Sequence, residues 1–275
     1  MDVRQVALMA GVNLCVATSS LATTETTDSS SDAHFAFASY LGSGIYRTSG
    51  QQASVLNLPL YVTLEQDSDH KINLRLPVSL GFFDYQWQDL PDGDLPSSIG
   101  TATFTPGIEY SWFIDPQLTL ESYLDLGVGW NFSENRQVGI YSTGVSSLYK
   151  LTPEQDAAIW VARLYTAGYN DNNRGQTETY GALHTGIDWS LGEGWHWQAH
   201  QLQPRAFAAA YWFFSPVNFN SGEKNLFADN AIELGLSLAL DPVPQWLGVT
   251  LSRVGISYRY SQDLRVWRLI FDFPF

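Results

Sequence analysis

The sequence predicts an all-β chain, a transmembrane antiparallel up-and-down β-barrel of about twelve strands, and three observations predict it. Segments of about 10 to 15 residues alternate apolar with small or charged side chains, beyond the usual soluble strand of about five to six. After Leu21 there is no apolar run of about 18 residues, so no helix of the mature chain could cross a bilayer. Aromatic residues make up 14% of the chain (10 Trp, 14 Tyr, 15 Phe) against 15% charged, an excess that girdles at two membrane interfaces would use. The mean hydropathy of -0.12 would suit a soluble protein. In a barrel the lipid and lumen faces alternate and average to such a value.

Residues 1–22 have the form of an export signal, with Arg4, an apolar stretch Val6 to Val16, and Ser20-Leu21-Ala22 as a small-x-small site that puts cleavage near Ala22. A buried N-terminal strand or helix is the competing reading. Cys15, the only cysteine, would leave with the signal. Val12-Asn13-Leu14 ahead of it lacks the small residue that lipoprotein processing wants. The mature chain then has no thiol chemistry and no disulfide. Thr23 to Asp32 (TTETTDSSSD) is a polar leader without the means to form a core, and residues 33–275 are assigned to the barrel. A formal net charge of -14 with only 14 Lys and Arg argues against a nucleic-acid partner. Acidic surface loops are the plainer reading, and no cofactor is expected.

Parity assigns the strands. Leu56, Leu58, Leu60, Val62 and Leu64 share one face, and Ile72, Leu74, Leu76, Val78, Leu80 and Phe82 another. The pattern returns at Leu118, Leu120, Leu124, Leu126, Val128, Trp130 and Phe132, at Ile232 to Leu240, and at Ile256, Tyr258 and Tyr260. The final run, Leu264 to Phe275 (LRVWRLIFDFPF), puts Trp267, Leu269, Phe271, Phe273 and Phe275 on one face and Arg268, Ile270, Asp272 and Pro274 on the other. A soluble sandwich would bury the greasy faces in a core. A membrane barrel turns them to lipid, its first partner.

Linkers supply a second alternation. Asp84 to Gly100, Gly168 to Gln176 and Ser215 to Asn225 are long, polar and follow odd-numbered strands. Ile114-Asp115-Pro116-Gln117 and Asp241-Pro242-Val243-Pro244 are tight and follow even-numbered ones. Long loops at one rim and short turns at the other match the two ends of an outer-membrane barrel, and an even count leaves both termini at the short-turn, periplasmic rim. Between Glu134 and Asn170 a helix starting at Thr152 competes with a strand over Ile159 to Tyr169. The loop parity favours the strand.

Inward parity selects the lumen charges: Arg75, Glu109, Glu121, Asp125, Glu233, Arg253, Arg259, Arg268 and Asp272, with Glu65 as a further partner. Such groups either tune ion passage through a pore or fill a narrow barrel with ion pairs, and the second reading is preferred. His196 and His200 in GWHWQAH lie about 13 Å apart on a strand, too far to share an ion, so no metal site is assigned. Trp195 and Trp197 suit an interfacial belt. His184 faces inward with Asp188 but lacks a serine nucleophile in a recognisable setting, and no catalytic residue is assigned. Asp89, Asp92 and Asp94, like Asn170 to Asn173, read as solvated loops without an EF-hand pattern.

The terminal alternation ending at Phe275 is similar to the signal by which the outer-membrane assembly machinery recognises its clients. With about twelve strands, the chain over Ala33 to Phe275 resembles the translocator barrel of autotransporters, and more narrowly the solitary barrels that lack a passenger. The resemblance implies a bacterial outer-membrane location, assembly through Trp267, Leu269, Phe271, Phe273 and Phe275, and a non-enzymatic structural or translocator-like role. A small porin-like channel and a surface barrel whose loops bind an extracellular partner are the alternatives. Only Thr23 to Asp32 precedes the first strand, too little for a passenger or a full pore helix.

Overall fold

The computed structural model describes residues 43–47, 52–82, 100–152, 157–197, 200–214, 219–220, 225–226, 230–241, 245–246, 249–250, 252–261 and 265–275. The expected signal, the leader and the acidic loop with Asp89, Asp92 and Asp94 lie outside them. All described residues belong to one compact unit, Ser31–Phe275.

Among the described residues, twelve antiparallel strands form the wall. They are β1 (Gly44–Arg47), β2 (Gln52–Leu58 with Tyr61–Gln66), β3 (His70–Arg75 with Val78–Phe82), β4 (Thr101–Phe104 with Gly107–Phe113), β5 (Leu118–Asn131), β6 (Arg136–Lys150), β7 (Ala158–Asp171), β8 (Gln176–Ser190), β9 (His200–Phe213), β10 (Asn230–Asp241), β11 (Arg253–Ser261) and β12 (Arg265–Ile270). Each pairs with its sequence neighbours, and β12 pairs with β1 from Gly44 opposite Arg268 to Arg47 opposite Arg265. The sheet therefore closes on itself, which removes the unpaired edges an open sheet would show. No helix among the described residues is long and apolar enough to cross a membrane. Pro153 to Asp156 lie outside the described residues, and Ala158–Asp171 is strand β7, which agrees with the strand reading of Ile159 to Tyr169.

The wall is inverted relative to a soluble domain. Leu124, Leu126, Ile232, Leu234 and Leu236 are 54–61% exposed on the outside, whereas Asp125, Asp188 and Glu233 inside are 0% exposed. Strand alternation produces this directly: on β10 the exposed Ile232, Leu234 and Leu236 bracket the buried Glu233.

Prolines break three adjacent strands. Pro59, Pro77 and Pro106 cannot donate to the ladder, and each interrupts its strand at neighbouring heights. The bonds across the crease run Leu76 N–H to Leu60 O (2.7 Å), Thr105 N–H to Pro77 O (3.2 Å) and Leu126 N–H to Pro106 O (2.9 Å). By contrast β5 to β8 run unbroken for 14 or 15 residues.

Two tight turns at one rim share a design. Oδ1 of Asn131 accepts from Ser133 N–H (3.1 Å) and Glu134 N–H (3.2 Å), and Oδ1 of Asp171 accepts from Asn173 N–H (3.0 Å) and Arg174 N–H (3.2 Å). The residue closing each turn takes the left-handed conformation, Asn135 at φ 50° and Gly175 at φ 64°, which Gly and Asn tolerate best.

Several expectations are corrected. Gly168 to Gln176 is not a long loop, because β7 and β8 extend to a tight turn, with Asp171 drawn into the interior by Arg136. Pro242 to Pro244 of the expected turn lie outside the described residues, and beyond them the link carries a ribbon, Gln245–Trp246 paired with Val249–Thr250. GWHWQAH is not one strand: Trp195–Trp197 folds back on His200–Leu202, pairing His196 with Gln201. Glu65 does not face inward, because a bulge between Thr63 and Glu65 reverses the parity and sets it opposite Ile72.

The largest correction concerns the last residues. β12 ends at Ile270, with Trp267 and Leu269 exposed outside. Phe271, Phe273 and Phe275 do not continue that outward face. The segment leaves the wall and turns into the barrel, where Phe275 is buried in a cluster with Val161, Phe207, Ala209, Tyr211, Ala231 and Ile270.

Candidate functional site: the charged lumen

Because register in an antiparallel sheet fixes which inward residues are neighbours, the lumen can be read as rows crossing the strands. One row passes through Lys71, Ser111, Glu121, Ser146, Arg163, His184 and Tyr211, each opposite the next. A second passes through Gly186, Ala209, Glu233, Arg259 and Val266. Polar side chains so aligned need partners, and three charged clusters supply most of them.

Glu233 on β10 centres the first. Its carboxylate accepts from Arg259 Nε (2.9 Å), from Arg268 Nη1 (2.8 Å to each oxygen), from Tyr211 OH (2.7 Å) and from Ser257 Oγ. The Arg259 guanidinium also lies 4.0 Å from the centre of the Tyr211 ring, a cation–π contact. One carboxylate thus ties β9, β11 and β12 to β10.

Asp188 on β8 centres the second. Arg205 Nε reaches Oδ2 at 2.6 Å, and Arg253 binds both oxygens at 2.7 and 3.0 Å, the fork geometry that makes arginine suited to buried carboxylates. The third cluster lies across the barrel. Arg75 on β3 pairs with Glu109 (2.9 Å) and Asp125 (3.2 Å), Asn73 Nδ2 donates to Glu109 (3.0 Å), and the guanidinium covers the Tyr123 ring at 4.3 Å. Near the opposite rim Arg136 bonds Asp171 (2.6 Å) and Gln176 (3.0 Å).

Between the clusters lies a cavity of about 810 Å³, lined among others by Glu109, Glu121, Arg163, Arg259, Arg268 and Asp272. Arg75, Glu109, Glu121, Arg259, Arg268 and Asp272 border this cavity, Asp272 from the inturned segment rather than from a strand, while Asp125, Glu233 and Arg253 are buried in the clusters beside it. Arg163 bonds Ser146 (2.8 Å) and Glu121 accepts from Ser111 (3.4 Å). Towards the other rim, Val138, Ile140, Ala167, Tyr169, Tyr180 and Ala182 form an apolar layer on β6 to β8.

Arg205 escaped sequence reasoning because it follows Pro204 in a Trp- and His-rich stretch that hides the alternation. Its shared parity with Phe207, Ala209 and Tyr211 was the usable signal. Arg163 and the Arg136–Asp171 pair were missed because their strands were obscured by the helix-like segment and by a presumed loop. His184 stacks on Tyr211 (4.3 Å between ring centres, 18°) and meets Phe275 at 5.2 Å, while the oxygens of Asp188 are taken by arginines. Among the described residues, Glu65, Asp67 and His70 bring potential metal-ligating atoms within 4.8 Å of one another, on a turn where His70 already bonds Asp69 at 3.0 Å.

No protein-family model matches the chain, and no curated protein matches it in sequence. Among solved structures it is similar to the β domain of the Bordetella autotransporter BrkA, with 13% identity and a TM-score of 0.50 over 82% of this chain and 92% of that one. The likeness shows that the chain has the fold of an autotransporter translocator barrel.

Proposed function

We propose that the protein is a bacterial outer-membrane β-barrel of the translocator type, with a structural or translocator-like and non-enzymatic role. The observation that carries the membrane reading is the inverted wall: Ile232, Leu234 and Leu236 about three-fifths exposed around a fully buried Glu233. In water such a surface would aggregate, whereas in a bilayer it faces lipid while the carboxylates find arginines inside. Export would use residues 1–22, and the outward Trp267 and Leu269 of β12 remain available to the barrel assembly machinery.

The lumen favours a closed barrel over an open channel. Glu233, Asp188 and Arg75 each hold partners on two or more other strands, so the interior charges act as cross-ties. The cavity with Glu121 and Arg163 on its lining favours a small channel as the second reading. Two measurements test the proposal. Detergent-extracted protein should migrate differently on gels before and after boiling, since a closed hydrogen-bonded cylinder lacks an edge from which to unravel. In planar bilayers the intact protein should give no stepwise conductance. Solubility without detergent and no heat shift would overturn the membrane reading, and steady conductance would replace the closed barrel by the channel.

A further inference from the structure

We infer that Phe271–Phe275 is a plug, a tethered ligand of the barrel's own lumen that shuts the 810 Å³ cavity at the rim where β12 ends. The inference stands on the fold and the packing, independently of any translocator role.

The segment has a built seat. The Phe275 ring lies 5.2 Å from His184, 5.7 Å from Phe207 in an edge-on arrangement and 5.4 Å from Phe273, geometries that aromatic pairs prefer. Its resting place exists because residue 186 is glycine. A Cβ there would come within 2.2 Å of Phe275 Cε1 and 2.5 Å of Ala208 O, so the wall is hollowed where the ring enters. Phe273 packs under the Arg253 guanidinium at 4.9 Å, and the same guanidinium is forked onto Asp188. Ser252 Oγ donates to Asp272. The plug is thus joined to the charged network at Arg253 and Asp272 and to an aromatic socket at Gly186, His184 and Phe207.

Its position matches its task. Residues 269–275 line the cavity together with Glu109, Ser111, Glu121 and Arg163 from other strands, so the segment forms one side of the space those polar side chains face. Leaving the wall at Ile270 also removes three large apolar side chains from a face that would otherwise meet lipid. Burial of Phe275 and partial burial of Phe273 against the same cluster offset that loss.

Thiol accessibility tests the plug directly, because Cys15 is the only cysteine. In a Cys15→Ser chain purified in detergent, Ser111→Cys is a near-isosteric reporter inside the cavity. A small, charged methanethiosulfonate reagent should label it at least tenfold faster in Phe273→Ala/Phe275→Ala, and in a chain lacking 271–275, than with the plug intact. The gel heat shift confirms that each variant is folded. Equal rates in folded variants would overturn the proposal. Should those variants not fold, Phe275→Cys in the otherwise intact chain decides. Labelling at least tenfold slower than at Asn172→Cys on the exposed turn supports the plug, and equal labelling refutes it.

Discussion

Replacing Glu233 by glutamine keeps the shape of the side chain and removes the one negative charge among two arginines. Glu233 is 0% exposed, and its two ion-pair partners, Arg259 and Arg268, are 6% and 13% exposed at the side chain, so solvent can compensate little. At an effective dielectric constant of about 20, unit charges about 4 Å apart attract by about 4 kcal/mol, and two arginines share this carboxylate. The desolvation of Glu233, several kcal/mol, is relieved in the variant and offsets part of that loss. The amide NH2 would also face guanidinium donors in place of an acceptor. The net expectation is a loss of about 3–5 kcal/mol, the usual cost of breaking one partner out of a buried pair. Glu121→Gln is the internal control: its carboxylate borders the cavity and accepts from Ser111 at 3.4 Å, so its removal should cost less than about 1 kcal/mol. Urea unfolding from lipid vesicles, followed by tryptophan fluorescence, measures both. A Glu233→Gln loss below about 1 kcal/mol, or one equal to the control, would refute the view that this carboxylate ties three strands together.

On the outer face, Leu234→Arg should destabilise the barrel in vesicles by about 2–4 kcal/mol, the cost of a cation near the bilayer midplane. In a water-soluble protein the same change at a 60% exposed leucine would be nearly neutral, and that result would sink the membrane reading. Gly186→Ala should cost about 1–3 kcal/mol through overpacking against Phe275 and Ala208. Unfolding in denaturant checks this, and a neutral outcome would mean that the socket is not tightly filled. Hydrogen exchange should reveal a weak seam: β1 and β12 share four register pairs whereas β5 and β6 share fourteen, so amides at Ile45 and Val266 should exchange faster than those at Ser122 and Val145. Equal protection around the ring would contradict it.

The fold was legible because strand alternation has a period of two and a wall with apolar side chains outside and charged ones inside makes both faces informative. Leu124, Asp125 and Leu126 declare outside, inside and outside without reference to anything else. Parity failed wherever the backbone departs from a plain strand. The bulge at Thr63/Glu65 sends Glu65 to the rim, and the fold-back of Trp195–Trp197 is invisible to a test for alternation. Phe271 to Phe275 show the deeper limit. Their spacing suits an outward strand, but whether the Phe275 ring finds a better place inside depends on a hollow at Gly186, 89 residues earlier in the chain and beyond any local pattern. The lumen charges were recognisable by face, whereas their pairing depended on the shear of the closed sheet, which sets Asp188 beside Arg253 across two intervening strands.

On the proposed membrane reading, the proline crease carries a consequence for how the chain enters a bilayer. Crossing takes about 9 to 11 continuous strand residues, and the crease leaves β2, β3 and β4 in pieces of 4 to 7 residues. Those pieces acquire full span only when stacked on a neighbour that already has it. The unbroken strands from β5 to β8 are therefore the template, and insertion should spread outwards from them, with the creased strands joining in succession and the short β12–β1 seam zipping last. In time-resolved refolding, cysteine pairs bridging β6 and β7 would become cross-linkable before pairs bridging β2 and β3, an order of assembly written into three prolines.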